Sequence, residues 1–138
     1  MHSLQQSLST ARAIGPLPVS LQAFVVASLV RHGGKPLLWL VEGTDEMYQV
    51  QEGLTAFMDA STVSIYPPLD VRPYQDDSPS KEITARRMTV LARLLAGGPQ
   101  VVVAPYEALA APIMPVDEFA SSVIRFETEN EIDRDDLA

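Results

Sequence analysis

The stretch Ile14-Gly15-Pro16-Leu17-Pro18-Val19-Ser20-Leu21-Gln22 stands directly before an apolar, helix-forming segment, the place a phosphate-binding loop would take. Such a loop reads glycine, four residues, glycine, lysine, then serine or threonine: its amides cradle the phosphates, its lysine reaches the β- and γ-phosphates and its hydroxyl holds magnesium. Gly15 can fill the first position, but Ser20, Leu21 and Gln22 occupy the last three. Pro16 and Pro18 also remove amides from the cradle, and a leucine cannot replace the ammonium group. This is a degenerate phosphate loop. No cofactor is expected, and the chain by itself is not expected to be an enzyme.

Other constellations are weaker. The histidines are His2 and His32, there is no cysteine, and no metal site can be assembled from them. No serine has the glycine-flanked setting of a hydrolase nucleophile. Asp76-Asp77 reads as a solvated pair in a proline-rich loop. One helix is expected to carry Lys81, Arg86, Arg87 and Arg93. Of these, Lys81, Arg86 and Arg93 form the one plausible surface for a weak DNA contact, although Glu82 stands four residues before Arg86, at ion-pairing distance on a helix.

Composition narrows the classes. With 138 residues, 46% of them hydrophobic, and a mean hydropathy of +0.07, the chain suits one globular domain with a true core. The formal charge is −8, and residues Asp117 to Ala138 alone contribute −6 of it. An acidic domain repels phosphate at long range, so autonomous nucleic-acid binding is disfavoured. Met1 to Arg12 lacks the pattern of a signal peptide, and the apolar runs fall short of the roughly 20 residues that span a bilayer. A soluble, cytoplasmic protein is expected, with no membrane partner.

The elements alternate. Ser20 to Arg31 reads as a largely buried helix ended by Gly33-Gly34, and Pro36 to Val41 as a strand covered on both faces, with Trp39 in the core. Thr44 is expected to cap a second helix whose inner face holds Met47, Val50, Leu54 and Phe57. Thr62 to Tyr66 reads as a short strand, followed by a proline-rich loop through Asp77. Ser78 as cap and Pro79 at the first turn open a third helix with Met88, Leu91 and Leu95 on one face, closed by Gly97-Gly98. A buried strand at Gln100 to Ala104, short helices at Pro105 to Ala111 and Val116 to Ala120, and a half-buried strand at Ser122 to Glu127 complete the pattern. This alternation predicts an α/β fold in three layers, with a mostly parallel sheet and helices on both faces. We divide it into an extension at 1–13, the α/β domain at 14–127, and the start of a linker or second domain at 128–138. The last segment reads as the first turn of a helix that stops, as in a piece of something longer.

The block Pro73, Tyr74, Ser78, Pro79, Ile83, Arg87 and Leu91, followed by Val101-Val102-Val103-Ala104-Pro105 and Ala108-Leu109, resembles the N-terminal module of the transcription-repair coupling factor family. Pro115, Phe119 and Glu131-Ile132-Asp133 are similar to that family's approach to its second domain. Asp70, Val71 and Arg72 depart from it, standing where the family usually has a tryptophan, an acid and a leucine. The first domain of the excision-repair protein UvrB is also similar. It keeps an intact phosphate loop and a long tyrosine-rich hairpin, however, and this sequence has neither.

The resemblance implies a UvrB-like domain that has lost ATPase function. It also implies a structural loop at Pro73, Tyr74, Ser78, Pro79 and Arg87, other domains of the parent chain as partners, and UvrA engaged through the adjacent second domain. RNA polymerase and DNA would be met by other parts of the parent, whose ATP-driven translocase this module helps restrain. Two other classes stay open: a UvrB-like helicase domain, and a free-standing α/β domain that binds a small ligand.

Overall fold

The computed structural model describes residues 16–33, 35–71, 78–98 and 100–123. Three parallel strands, β1 (Leu37–Val41), β2 (Val63–Ile65) and β3 (Val101–Pro105), lie in the order β1-β3-β2. The register pairs Trp39 with Val103 and Ile65 with Val103. The helices are α1 (Val19–Gly33), α2 (Thr44–Thr55), α3 (Lys81–Leu95) and α4 (Val116–Ser122). Short 3-10 turns at Ala60–Thr62 and Tyr106–Leu109 lead into β2 and out of β3. The expected α/β architecture is present.

Side chains alternate across a strand, so β3 feeds two cores. Val101 and Val103 join Ala23 and Val30 of α1 and Met47, Val50 and Leu54 of α2 on one face. Val102 and Ala104 join Tyr66, Ala108 and Val90 of α3 on the other. Every residue of β3 is buried, as a central parallel strand requires. Helix α1 follows its apolar sequence less closely: Ala23, Ala27 and Val30 are buried, while Leu21 and Phe24 stand exposed.

Strand β1 corrects the expectation that it is covered on both faces. Leu38 and Leu40 are each 51% exposed, and Trp39 is only half-buried. The physical reason is coverage. Helix α3 packs through Val90 against Tyr66 and Val102, and at Leu38 an apolar groove bounded by Leu94, Leu109 and Ile113 is left open.

The helix ends are also corrected. Helix α2 is capped by Gly43, with no side-chain hydrogen bond, and Thr44 is its first residue. The Glu42 amide is satisfied instead by Glu46, whose carboxylate accepts it at 2.9 Å, so the acid one turn in closes the helix start. Helix α3 starts two residues later than Ser78-Pro79 suggested. Ser80 is its N-cap, accepting from the Ile83 amide at 3.3 Å, because the Asp70 carboxylate holds the Ser80 amide at 2.9 Å and fixes the backbone there.

The far end of α3 follows the sequence signal. Gly97 has φ +72°, the Gly98 amide reaches back to Arg93 O and the Gly97 amide to Leu94 O, which makes a Schellman closure. Ser122, expected in a strand, belongs to α4. Val123 follows as the C-cap of that helix, and residues 124–127 lie outside the described residues.

Candidate functional site

Two places were singled out by sequence: the start of α1 and the helix α3 with its preceding loop. At α1, Gly15 lies outside the described residues. Pro18 acts as the helix cap, its carbonyl accepting from the Leu21 and Gln22 amides at 3.0 Å. Leu21 is exposed, as is Ser20. Gln22, at the position where a phosphate loop carries its metal-binding hydroxyl, donates from Nε2 to Leu17 O at 2.6 Å. The side chain therefore ties the approach segment back onto the helix. The nearby groove is bounded mainly by apolar side chains, with Val25, Val26 and Leu29 on the α1 side. A phosphate would meet no cation among these.

On α3 the four basic residues separate into three roles. Arg86 is exposed and pairs with Glu82 at 2.8 Å, as the spacing suggested. Lys81 is exposed. Arg87 is buried, only 4% exposed, and does not share the surface with them. Its Nη1 donates to Pro67 O at 2.8 Å and to Ala108 O at 3.2 Å, and its guanidinium carbon lies 4.1 Å from the centre of the Tyr66 ring. Arg93 donates from Nη1 to the buried Ser64 hydroxyl at 2.8 Å and from Nη2 to the Ser61 carbonyl.

The two arginines lie at opposite ends of β2. Arg93 grips Ser61 and Ser64 near the strand's start, and Arg87 grips Pro67 just past its end. Arg87 also reaches Ala108, beyond the end of β3, so it joins the carboxyl ends of two neighbouring strands. In α/β sheets that edge is where ligands usually bind. Here the guanidinium fills it with internal contacts. A planar fork of donors suits two carbonyls and one ring face better than a lysine would.

This arrangement also corrects the expected apolar face of α3. Met88 and Leu95 are exposed, and the inward positions are Arg87 and Val90, with Leu91 half-buried beside them. The DNA surface proposed from Lys81, Arg86 and Arg93 is not assembled as one cluster, because Arg93 is turned to β2.

Sequence reasoning marked Asp70 only as a departure from the family pattern and missed its contact with Ser80. Its carboxylate closes the ten-residue span to Ser80, and accepting the Ser80 amide and hydroxyl holds its pKa below the usual 3.8. Of the loop motif, Pro73 and Tyr74 lie outside the described residues, Ser78 is exposed and Pro79 half-buried. Among the described residues no group of three or more His, Asp or Glu is placed to hold a metal, and no helix is long and apolar enough to cross a membrane.

Compared with curated proteins, the chain is similar to the transcription-repair-coupling factor of Bacillus subtilis (strain 168), with 26% identity over 119 residues. That match takes in 86% of this chain and 10% of the relative, so the chain spans about a tenth of the length of the protein it matches. No family model matches the chain, and no solved structure matches it. The resemblance carried by the block from Pro73 to Leu91 and by the Val101 strand thus holds in a comparison over most of the sequence.

Proposed function

We propose that the chain is a non-catalytic platform module of a transcription-repair coupling factor, working in the bacterial cytoplasm. In this role it supports recruitment of UvrA through an adjacent second domain and restrains the ATP-driven DNA motor of the parent protein. Its immediate partners are other domains of that parent, and RNA polymerase and DNA are engaged elsewhere in it. The similarity over 86% of the chain supports the family assignment.

The observation that carries the non-catalytic part is the Gln22 contact to Leu17 O. It spends, on the backbone of the approach segment, the side chain that a nucleotide site would aim at a magnesium-bound phosphate. Together with Leu21 in the lysine position, this leaves the helix start without the ammonium and the metal-binding hydroxyl of a working phosphate loop. The arginine clamps of α3 likewise serve rigidity, which is what a platform needs.

The decisive experiment supplies the 138-residue chain in trans to a coupling factor lacking its corresponding N-terminal segment. Restraint of the motor predicts that the truncated protein hydrolyses ATP faster than the intact one and that the added chain lowers this rate in a saturable way. An ATPase rate indifferent to a large excess of folded chain removes the proposal.

A further inference from the structure

Helices α1 and α2 pack on one face of the sheet, with Ala23, Val30, Met47 and Val50 in one cluster with Val101 and Val103. Helix α3 packs on the other face, through Val90 in the cluster of Val102 and Ala104. The strand order β1-β3-β2 then relates the hands of the crossovers to one another. The connection from β1 to β2 passes through α2 and moves across β3 in one direction. The connection from β2 to β3 passes through α3 and moves back, on the opposite face. Reversing both direction and face keeps the hand, so the two crossovers agree, as right-handed parallel connections do.

The entry into α1 falls under the same rule. The last turns of α1 stand beside Lys35, Thr62 and Gln100, which precede the three strands, so the helix runs from the carboxyl ends of the strands to their amino ends. A strand that delivers the chain to α1 therefore runs parallel to β1. Its crossover lies on the same face as α2. The shared hand then requires the same direction of travel, which sets that strand on the side of β1 away from β3.

That side meets no strand among the described residues. The Leu37 amide donates to Gln100 O, toward β3, so by alternation the amides and carbonyls of Leu38 and Leu40 point to the open side. Strand β1 carries no proline, glycine or charge that would blunt this edge. Pro16 and Leu17 share a groove with Leu38 and Leu40, which brings the chain that precedes α1 to the same edge. Just before them stands Leu8-Ser9-Thr10-Ala11-Arg12-Ala13-Ile14, a run without proline or glycine that ends at Gly15-Pro16.

We infer that residues 8–14 pair parallel with the outer edge of β1, as a fourth strand that completes the sheet. The amides and carbonyls of Leu38 and Leu40 meet those of alternate residues in this segment. Residues 8–13, set apart by sequence as part of an extension, thereby belong to the α/β domain. Helix α1 becomes the crossover of a complete βαβ unit, and the edge serves the chain's own fold.

Amide hydrogen exchange in the full chain tests this, with Leu38 and Leu40 read individually by NMR. Their amides should be protected, and equally so at every concentration at which sedimentation shows a monomer. Ala11→Pro and Arg12→Pro, made separately, identify the occupant. Successive amides of a strand point to opposite sides, so whichever parity holds, one of the two prolines removes a donor aimed at β1. That variant should lose protection at Leu38 and Leu40, while Val101 to Val103 stay protected as the mark of a folded sheet. If a proline unfolds the whole chain, nuclear Overhauser contacts in the parent between residues 8–14 and Leu38 to Leu40 decide: their presence supports the pairing and their absence overturns it. Fast exchange of Leu38 and Leu40 in the parent overturns the inference by leaving the edge unpaired. Protection that appears only as concentration rises overturns it in favour of a second copy, and protection that survives both prolines does so in favour of another segment.

Discussion

The guanidinium of Arg87 lies 4.1 Å above the Tyr66 ring, in a site where it is only 4% exposed and where no carboxylate pairs with it among the described residues. A buried cation without a counter-ion costs free energy unless polar groups replace its water. Two carbonyls and the ring face do so here: Pro67 O and Ala108 O accept from Nη1, and the ring supplies its negative face. Because those acceptors follow β2 and β3, the charge couples the helix to both strands. Its removal should therefore register in global stability.

Arg87→Met keeps the volume of the stem but strands the two carbonyls in a buried site. Loss of charged hydrogen bonds of this kind is expected to cost about 2–4 kcal/mol. Arg87→Lys keeps the charge but loses the fork, and it should recover less than half of that deficit. Urea unfolding at neutral pH measures both. Equal stability of Arg87→Met and the parent chain would show that the clamp contributes nothing.

Acid stability should depend on Asp70. Its pKa in the folded chain is lowered by the hydrogen bonds from Ser80, so the unfolded chain binds the proton more readily. The stabilisation is therefore present above the ordinary value of 3.8 and is lost as pH falls through the lower, folded value. Asp59, lowered by Ser61, adds in the same direction. Unfolding midpoints measured from pH 6 down to pH 2 should fall less steeply for Asp70→Asn than for the parent. Parallel curves would mean that the Asp70–Ser80 contact is not maintained in solution.

The sequence made β3 legible because an apolar run between a glycine-rich turn and a proline has few other uses. Applied to Leu37–Val41, the same logic failed at Leu38 and Leu40. A strand's pattern records what its faces can tolerate, whereas its exposure depends on whether a helix from elsewhere reaches it. The burial of Arg87 was hard to read from its residue type for a related reason. Arginine belongs on the surface by default, and from the residues its inward position was signalled by the helical spacing Ile83, Arg87, Val90, Leu91. The phosphate-loop segment was legible by residue type alone, but the Gln22 to Leu17 contact was not, since nothing in the sequence says which way a glutamine at a helix start turns. Tyr74, which the resemblance sets in a structural loop, lies outside the described residues.

Magnesium ATP should leave the melting temperature of the chain unchanged. A ligand at about 100 times its dissociation constant stabilises by roughly 2.7 kcal/mol, enough to move the transition visibly. Leu21→Lys restores the missing ammonium at an exposed position but not the amides absent at Pro16 and Pro18, so it should not create binding. A thermal shift with ATP in either protein would return the degenerate loop to the class of nucleotide sites.

The glycine pair after α3 should respond unequally to alanine. At Gly97 an added Cβ meets nothing, and the cost comes from φ +72° alone, about 1 kcal/mol. At Gly98 it would stand 2.6 Å from Arg93 O, a backbone atom of the Schellman closure that cannot swing aside. Gly98→Ala should therefore be the more destabilising of the two and should disturb the end of α3, from which Arg93 reaches Ser64. Denaturation of the two variants decides the order, and a milder Gly98→Ala would show that the closure is pliable.

Binding to duplex DNA should be weak and should vanish with salt. The surface expected to make it needs several free cations on one face. Arg87 is buried, Arg93 is committed to Ser61 and Ser64, and Arg86 is paired with Glu82, which leaves Lys81 as the one unengaged cation of α3. Neutralising a phosphate releases counter-ions, and each such contact steepens the salt dependence, so one or two contacts give little affinity at physiological salt. The formal charge of −8 works against approach as well. Fluorescence anisotropy with a labelled duplex should therefore show no submicromolar binding at about 150 mM salt. If such binding is found and Lys81→Ala with Arg86→Ala abolishes it, α3 is a nucleic-acid surface after all, and the arginine clamps inward to β2 must open to supply the remaining charge.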